Sequence, residues 1–175
     1  MAHADWREPV RLLRLSITPA AAHQLALATL VGCTLDADLP FNVATARLEE
    51  FLEPKIRGTN HAAAAPTERQ MRFLSELCPN FRVRDESRAE ISAWIGHCLA
   101  LATITAHEKL KLKSGDVVQV SRSCRVICTA KTRPELTVVS SIGANGRVYL
   151  KGGNGAAAWP TEVQHQAPSG AVARI

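Results

Sequence analysis

Residues 115–163 read GDVVQVSRSCRVICTAKTRPELTVVSSIGANGRVYLKGGNGAAAWPTEV. Short β-branched runs alternate here with turn residues, the pattern of short strands and tight connections. DVVQVS opens as a strand after the Ser114-Gly115 turn. RSCRVICTAK reads as a second strand, with Cys124, Val126 and Cys128 on one face and Arg125, Ile127 and Thr129 on the other. KTRPE is a loop in which Pro134 ends or edges a strand. ELTVVSSI is a third strand. Ala144-Asn145-Gly146 offers the positive-φ positions of a hairpin turn, and RVYLK is a fourth strand. GGNG turns the chain, and AAAWP closes the unit with a short fifth strand near Trp159. A strongly curved sheet or small antiparallel barrel is expected.

Five short strands in about 50 residues after a Gly-Asp-Val-Val opening resemble the SH3-like small barrels, including KOW and Tudor-type modules. The resemblance is architectural, and such folds host many functions.

The residues before this region carry helix signals. Thr18-Pro19 reads as a helix start, followed by AAAHQLALATLVG, with Leu25, Leu27, Leu30 and Val31 as the apolar side and Gly32 as the stop. A second helix is expected over 41–51, with Asn42 as its cap and Val43, Ala46, Leu48, Phe51 and Leu52 buried. The pair resembles a helix-turn-helix in outline. Its loop is too long for the compact form, and no cluster of Arg, Gln or Asn marks a recognition helix, so a packing unit is expected. Residues 54–65 read as a linker, because Pro54 and Gly58 break helices. A third helix begins at Pro66-Thr67, with Gln70 as capping-box partner and Met71, Phe73, Leu74 and Leu77 on its apolar face. Ser87 caps a fourth helix, with Glu90 completing its box. Ala89, Ile91, Trp94, Ile95, Cys98, Leu99, Leu101 and Ile104 make that helix apolar on much of its circumference, the expected centre of the N-terminal half. The pair over 66–99, through Thr67, Gln70, Leu74, Ser87, Glu90 and Ile95, resembles a small helical module of phage and bacterial DNA-transaction proteins.

The fold class is therefore α+β, about four helices followed by a five-stranded SH3-like antiparallel barrel. The expected division is a helical domain over 1–108, a basic barrel over 109–163 and a flexible tail over 164–175. No apolar run approaches the roughly 18 to 20 residues of a membrane span. Asp5 and Glu8 interrupt any signal-peptide pattern. A cytoplasmic protein without membrane contact is expected. Five cysteines, Cys33, Cys78, Cys98, Cys124 and Cys128, contain no CxxC pair and read as reduced apolar residues.

Charge is unevenly divided. Residues 1–108 hold 11 Lys or Arg against 13 Asp or Glu, a net −2, whereas residues 109–175 hold 10 against 3, a net +7. Such an excess draws polyanions to one end of the chain. Lys109, Lys111 and Lys113 alternate with Leu110 and Leu112, which on a strand puts three ammonium groups on one side. Arg122, Arg125, Lys131, Arg133, Arg147 and Lys151 complete a set of phosphate contacts. Tyr149 and Trp159 suit base stacking. Trp159 beside Pro160 reads equally well as a plug in the barrel core.

Catalytic patterns are missing. Glu53-Pro54-Lys55 has a nuclease-like spacing at a helix end, without the paired carboxylates a metal nuclease needs. The histidines are scattered, and His97-Cys98 point in different directions on a helix. Gly152-Gly153-Asn154-Gly155 lacks the Lys-Ser/Thr of a phosphate loop. The expectation is a non-catalytic nucleic-acid-binding protein without cofactor or metal. Its helical half would dock a protein partner or a second copy, in an accessory role within a nucleic-acid-processing or defence complex. The alternative is an adaptor whose barrel binds an acidic protein.

Overall fold

The computed structural model describes residues 13–14, 17–58, 63–121, 136–143, 145–152 and 155–165. Among the described residues four full helices precede a five-stranded antiparallel sheet, an α+β order. The helices are α1 (Ala22–Val31), α2 (Phe41–Arg57), α3 (Glu68–Leu77) and α4 (Arg88–Leu110). The strands are β1 (Val117–Val120), β2 (Leu136–Ile142), β3 (Val148–Leu150), β4 (Ala157–Ala158) and β5 (Val163–His165). The chain divides into two compact units, a helical one over Arg14–Leu101 and a sheet unit made of the residues from Ala102 on together with Leu13, so the boundary falls inside α4.

In the helical unit, α1 and α2 run parallel. Gln24 near the start of α1 donates to Phe41 O at 3.0 Å and to Thr45 Oγ1 at 2.8 Å near the start of α2, while Lys55 near the end of α2 reaches Val31 O at the end of α1. A helix-turn-helix crosses its helices at a steep angle instead. Ala28, Cys33 and Leu48 form the core between the pair, flanked by Val31, Leu35 and Phe51.

Several expectations are corrected here. Helix α1 starts at Ala22, not at Pro19, because Pro19 and its neighbours pair with the 39–41 segment (Ala20 N–H to Leu39 O, 2.8 Å; Phe41 N–H to Thr18 O, 2.7 Å). Its buried side is Gln24 and Ala28, whereas Leu27 and Leu30 are exposed. Hydrogen bonding turns that face inward, since Gln24 Oε1 also accepts from Ala21 N–H at 2.8 Å and every polar atom of the amide is used. Asn42 does not cap α2. Its Nδ2 donates to Ala93 O on α4 at 2.7 Å, and Pro40 occupies the cap position. Helix α2 also runs through Pro54, into the segment expected as linker, and stops at Gly58, whose φ of 63° and N–H to Pro54 O form a left-handed cap. Proline in a last turn removes one ladder bond. Lys55 over the Phe51 ring (3.8 Å) and the Arg57–Glu53 pair (3.2 Å) hold that turn from its flanks.

The two capping boxes form as expected. Gln70 N–H donates to Thr67 Oγ1 at 3.2 Å and Thr67 N–H to Gln70 Oε1 at 3.0 Å. Glu90 N–H donates to Ser87 Oγ at 3.1 Å and Ser87 N–H to Glu90 Oε2 at 2.9 Å. Glu90 is buried and its other oxygen pairs with Arg47 Nε, which ties α2 to α4. Cys33, Cys78 and Cys98 are free thiols. Burial first, and then the adjacent Cys78 thiol, push the Cys98 thiol up to about 11, so it stays protonated. Among the described residues, α4 alone is long and apolar enough to cross a membrane by length and composition, a test that the core helix of a globular unit also meets.

In the sheet unit the strand order is β4-β3-β2-β1-β5. Strands β1 to β4 follow as a meander, and β5 returns to the free edge of β1 (Val120 opposite Val163). The expected second strand, 121–130, lies outside the described residues apart from Ser121. The expected closure into a barrel is corrected: β4 and β5 are the two edges of an open sheet. The sheet is nevertheless curled. Five flat strands would span four gaps, about 19 Å. The chain passes from Ala158 on one edge strand to Val163 on the other in five steps, at most about 18 Å even if fully extended. It does so through a 3-10 turn, Pro160–Glu162, held by Trp159 N–H to Glu162 Oε2 at 3.0 Å. The concave face gathers Val118, Val120, Val139, Val148, Ala158 and Val163 around Leu112. β4 has only two residues before Pro160 fixes the turn, leaving too little ladder to seal the edges. β5 includes Gln164 and His165, the first residues of the segment expected as tail.

Candidate nucleic-acid interface

Arg122, Arg125, Lys131 and Arg133 lie outside the described residues. The other seven predicted residues fall into two groups, and both flank β2.

The first group is Lys109, Lys111 and Lys113, all exposed. They do not lie on a strand. Lys109 is in the last turn of α4, where a cation complements the helix dipole. Lys111 ends the helix with φ 48°, its N–H still bonded to His107 O. Leu110 and Leu112 pack on the sheet core, so the period-two pattern records a helix end and a reversal, not a pleat. Lys113 N–H donates to Asp116 Oδ2 at 2.7 Å, closing the turn into β1, and Ser114 Oγ donates to Ser140 O on β2 at 2.8 Å.

The second group is Arg147, Tyr149, Lys151 and Trp159. Val148 is fully buried against Ala158, so the residues on either side of it belong to the convex face. Tyr149 stands opposite Ala157 on β4 and Ser141 on β2. Arg147 lies over the Trp159 ring, 4.8 Å from its centroid. Lys151 extends the ladder, its N–H donating to Val138 O at 2.8 Å. On the opposite side of β2, Gly115 N–H donates to Val139 O at 2.8 Å. The backbones of the Lys113 turn and of Lys151 thus lie two strand spacings apart, about 10 Å. Trp159 is half-buried, and the fully buried residue beside it is Pro160.

The β2–β3 turn sets the height of Arg147 and is anchored on α4. Gly143 N–H donates to Arg147 O and Gly146 N–H to Gly143 O, both at 2.8 Å. Gly146 has φ 76°, and a Cβ there would stand 2.6 Å from both Thr103 Cγ2 and Leu13 Cδ1. The fully buried His107 meets Gly146 O through Nε2 at 2.8 Å. A carbonyl only accepts, so Nε2 carries the proton and Nδ1 is bare and unpartnered. Burial pushes the His107 pKa below its ordinary 6.5, against the smaller upward pull of the Gly146 carbonyl.

Ser141, Gly143, Ala157, Thr103 and His107 were not singled out from sequence. The Ala144-Asn145-Gly146 run was the one signal pointing to this turn; the histidine carries none, since its partner is 39 residues away. Among the described residues no group of three His, Cys, Asp or Glu is placed to hold a metal ion. Asp116 and Glu162, acidic residues of the basic half, are both engaged in turn hydrogen bonds. Comparison with protein-family models, curated proteins and solved structures finds no match for this chain.

Proposed function

We propose that the chain is a non-catalytic nucleic-acid-binding protein whose basic sheet unit contacts phosphates. The observation that carries this reading is the net +7 over residues 109–175, part of it displayed by exposed lysines on both sides of β2. Lys109, Lys111, Lys113 and Lys151 take the phosphates, and Arg122, Arg125, Lys131 and Arg133 extend the set by sequence. An SH3-like reading of the unit draws support from the curled meander whose fifth strand returns to the first. The helical unit serves as the docking element for a protein partner or a second copy, which suits a small accessory subunit of a nucleic-acid-processing or defence complex.

The test is fluorescence anisotropy of the full chain with labelled DNA and RNA across a salt series. Micromolar or tighter binding is expected, with log affinity falling linearly in log salt. Replacing Lys109, Lys113 and Lys151 by Glu lowers the slope by roughly one per lost phosphate contact. Absence of binding at low salt overturns the proposal.

One observation favours the adaptor reading. Val117 and Leu136 are exposed on adjoining strands of the sheet, at 44% and 59%. Apolar side chains gain nothing from phosphates and suit a protein surface. A stoichiometric acidic protein partner, with no affinity for bare nucleic acid, is the outcome that selects it.

A further inference from the structure

We propose that Tyr149 is a stacking platform for an unpaired base, so that the sheet unit takes single-stranded rather than duplex nucleic acid. The inference rests on the nucleic-acid reading above and adds the class of strand.

The surroundings of the ring carry it. Cross-strand partners of Tyr149 are Ala157 and Ser141, both small. Gly143 packs beneath the ring edge: a Cβ there would come within 2.7 Å of Tyr149 Cε2. A half-buried tyrosine with glycine at its ring edge and alanine and serine as cross-strand partners has low neighbours across the sheet. A core tyrosine would have large apolar neighbours filling that space. Along the strand the ring is bracketed by cations. Arg147 precedes it and Lys151 follows it at two-residue spacing, each just outside an end of β3, with the Lys151 N–H still bonded to Val138 O on β2. Cation, ring, cation in a line matches a strand that alternates phosphate and base. A duplex keeps its base faces stacked and presents only phosphates and groove edges, so Tyr149 would be idle against it.

Trp159 is not the equivalent platform. The Arg147 guanidinium already occupies a face of its ring at 4.8 Å. That contact gives the arginine a fixed position. Its Nε is buried without a hydrogen-bond partner, and among the described residues the indole is the contact made by its guanidinium. Arg147 and Trp159 act as positioning residues beside the ring.

The experiment compares the full chain and its Tyr149→Leu and Tyr149→Phe variants. Probes are labelled oligo(dT), oligo(U) and a mixed-sequence duplex of equal length, at low salt, with circular dichroism checking each fold. The expected result is tighter binding of the single strands than of the duplex. Tyr149→Leu then weakens the single strands by about 5- to 150-fold, the worth of one stacked base, and leaves the duplex unchanged. Tyr149→Phe, which keeps the ring, restores single-strand affinity. Oligo(dT) against oligo(U) separates DNA from RNA as the source of the base. Equal binding of duplex and single strands, with Tyr149→Leu harmless, overturns this inference and leaves the phosphate reading standing. Binding to none of the three overturns both.

Discussion

Buried polar groups are handled differently in the two units. In the helical unit, Gln24, Ser87 and Glu90 are buried and each is hydrogen-bonded. In the sheet unit, His107 Nδ1 and Arg147 Nε are buried without partners, and among the described residues these two are the buried side-chain atoms in that state. An unpaired buried polar atom costs about 1–3 kcal/mol. Both orphans sit at the β2–β3 turn, one at the anchor of Gly146 and one on the arginine that follows it. The helical unit is thus built for stability. The sheet unit carries its unsatisfied groups where the candidate interface lies, as sites of binding often do.

The largest expected effect tests that turn. Gly146→Ala meets two penalties, a left-handed backbone for an L side chain and overlap with Thr103 and Leu13 at 2.6 Å. About 1–2 kcal/mol for the first and about 1–3 for the second give a loss of about 2–5 kcal/mol, read from the urea midpoint. The helical unit supplies the opposite case. Gly96 lies inside α4 with only Asn42 Nδ2 at 3.6 Å from an added Cβ. Gly96→Ala is expected to stabilise by about 0.5–1 kcal/mol. If both changes move the midpoint alike, the turn is not clamped as described.

The next effect sharpens the helical side. Glu90→Ala removes a capping-box acceptor and the partner of Arg47. The loss is about 1–3 kcal/mol, kept moderate because Arg47 retains access to water. Glu90→Gln keeps the box and loses the charge, so it costs less. Equal losses in urea melts would assign the effect to the ion pair and not to the cap.

What was legible from sequence follows the range of the interactions. The boxes at Thr67–Gln70 and Ser87–Glu90 close within three residues, and the capping pattern revealed them. Strands β1, β2 and β3 were visible because β-branched runs lie between turn residues. The inward turn of Gln24 was not, since it depends on Phe41 and Thr45 seventeen and more residues on. Nor was the return of β5 to β1, a pairing across more than 40 residues with no local sign. Lys109–Lys113 misled because five residues of alternation fit a strand as well as a helix end followed by a reversal. At the candidate site the expected strand over 147–151 is found as Val148–Leu150, with Arg147 and Lys151 just outside its ends. The small residues that leave Tyr149 open come from β2, β4 and the turn, and only the register brings them together.

The smallest effect at neutral pH belongs to His107, and its sign separates the units. Its pKa is lowered in the folded state, chiefly by burial. Well above the ordinary value of 6.5 the ring is neutral whether folded or unfolded, and it contributes no pH dependence. As pH falls through 6.5 the unfolded chain takes the proton first, and stability declines until the pH passes below the folded value. A protonated ring would also present Nδ1–H to a site with no acceptor. His107→Gln keeps a donor within reach of Gly146 O and cannot titrate. Urea midpoints at about pH 7.5 and about pH 5 should therefore fall further for the native chain than for His107→Gln. The decline should come from the sheet unit, with the helical unit, whose buried side-chain polar atoms are all bonded among the described residues, holding its midpoint. Equal falls in the two proteins would show that the bare nitrogen of His107 does not make the sheet unit the acid-sensitive half.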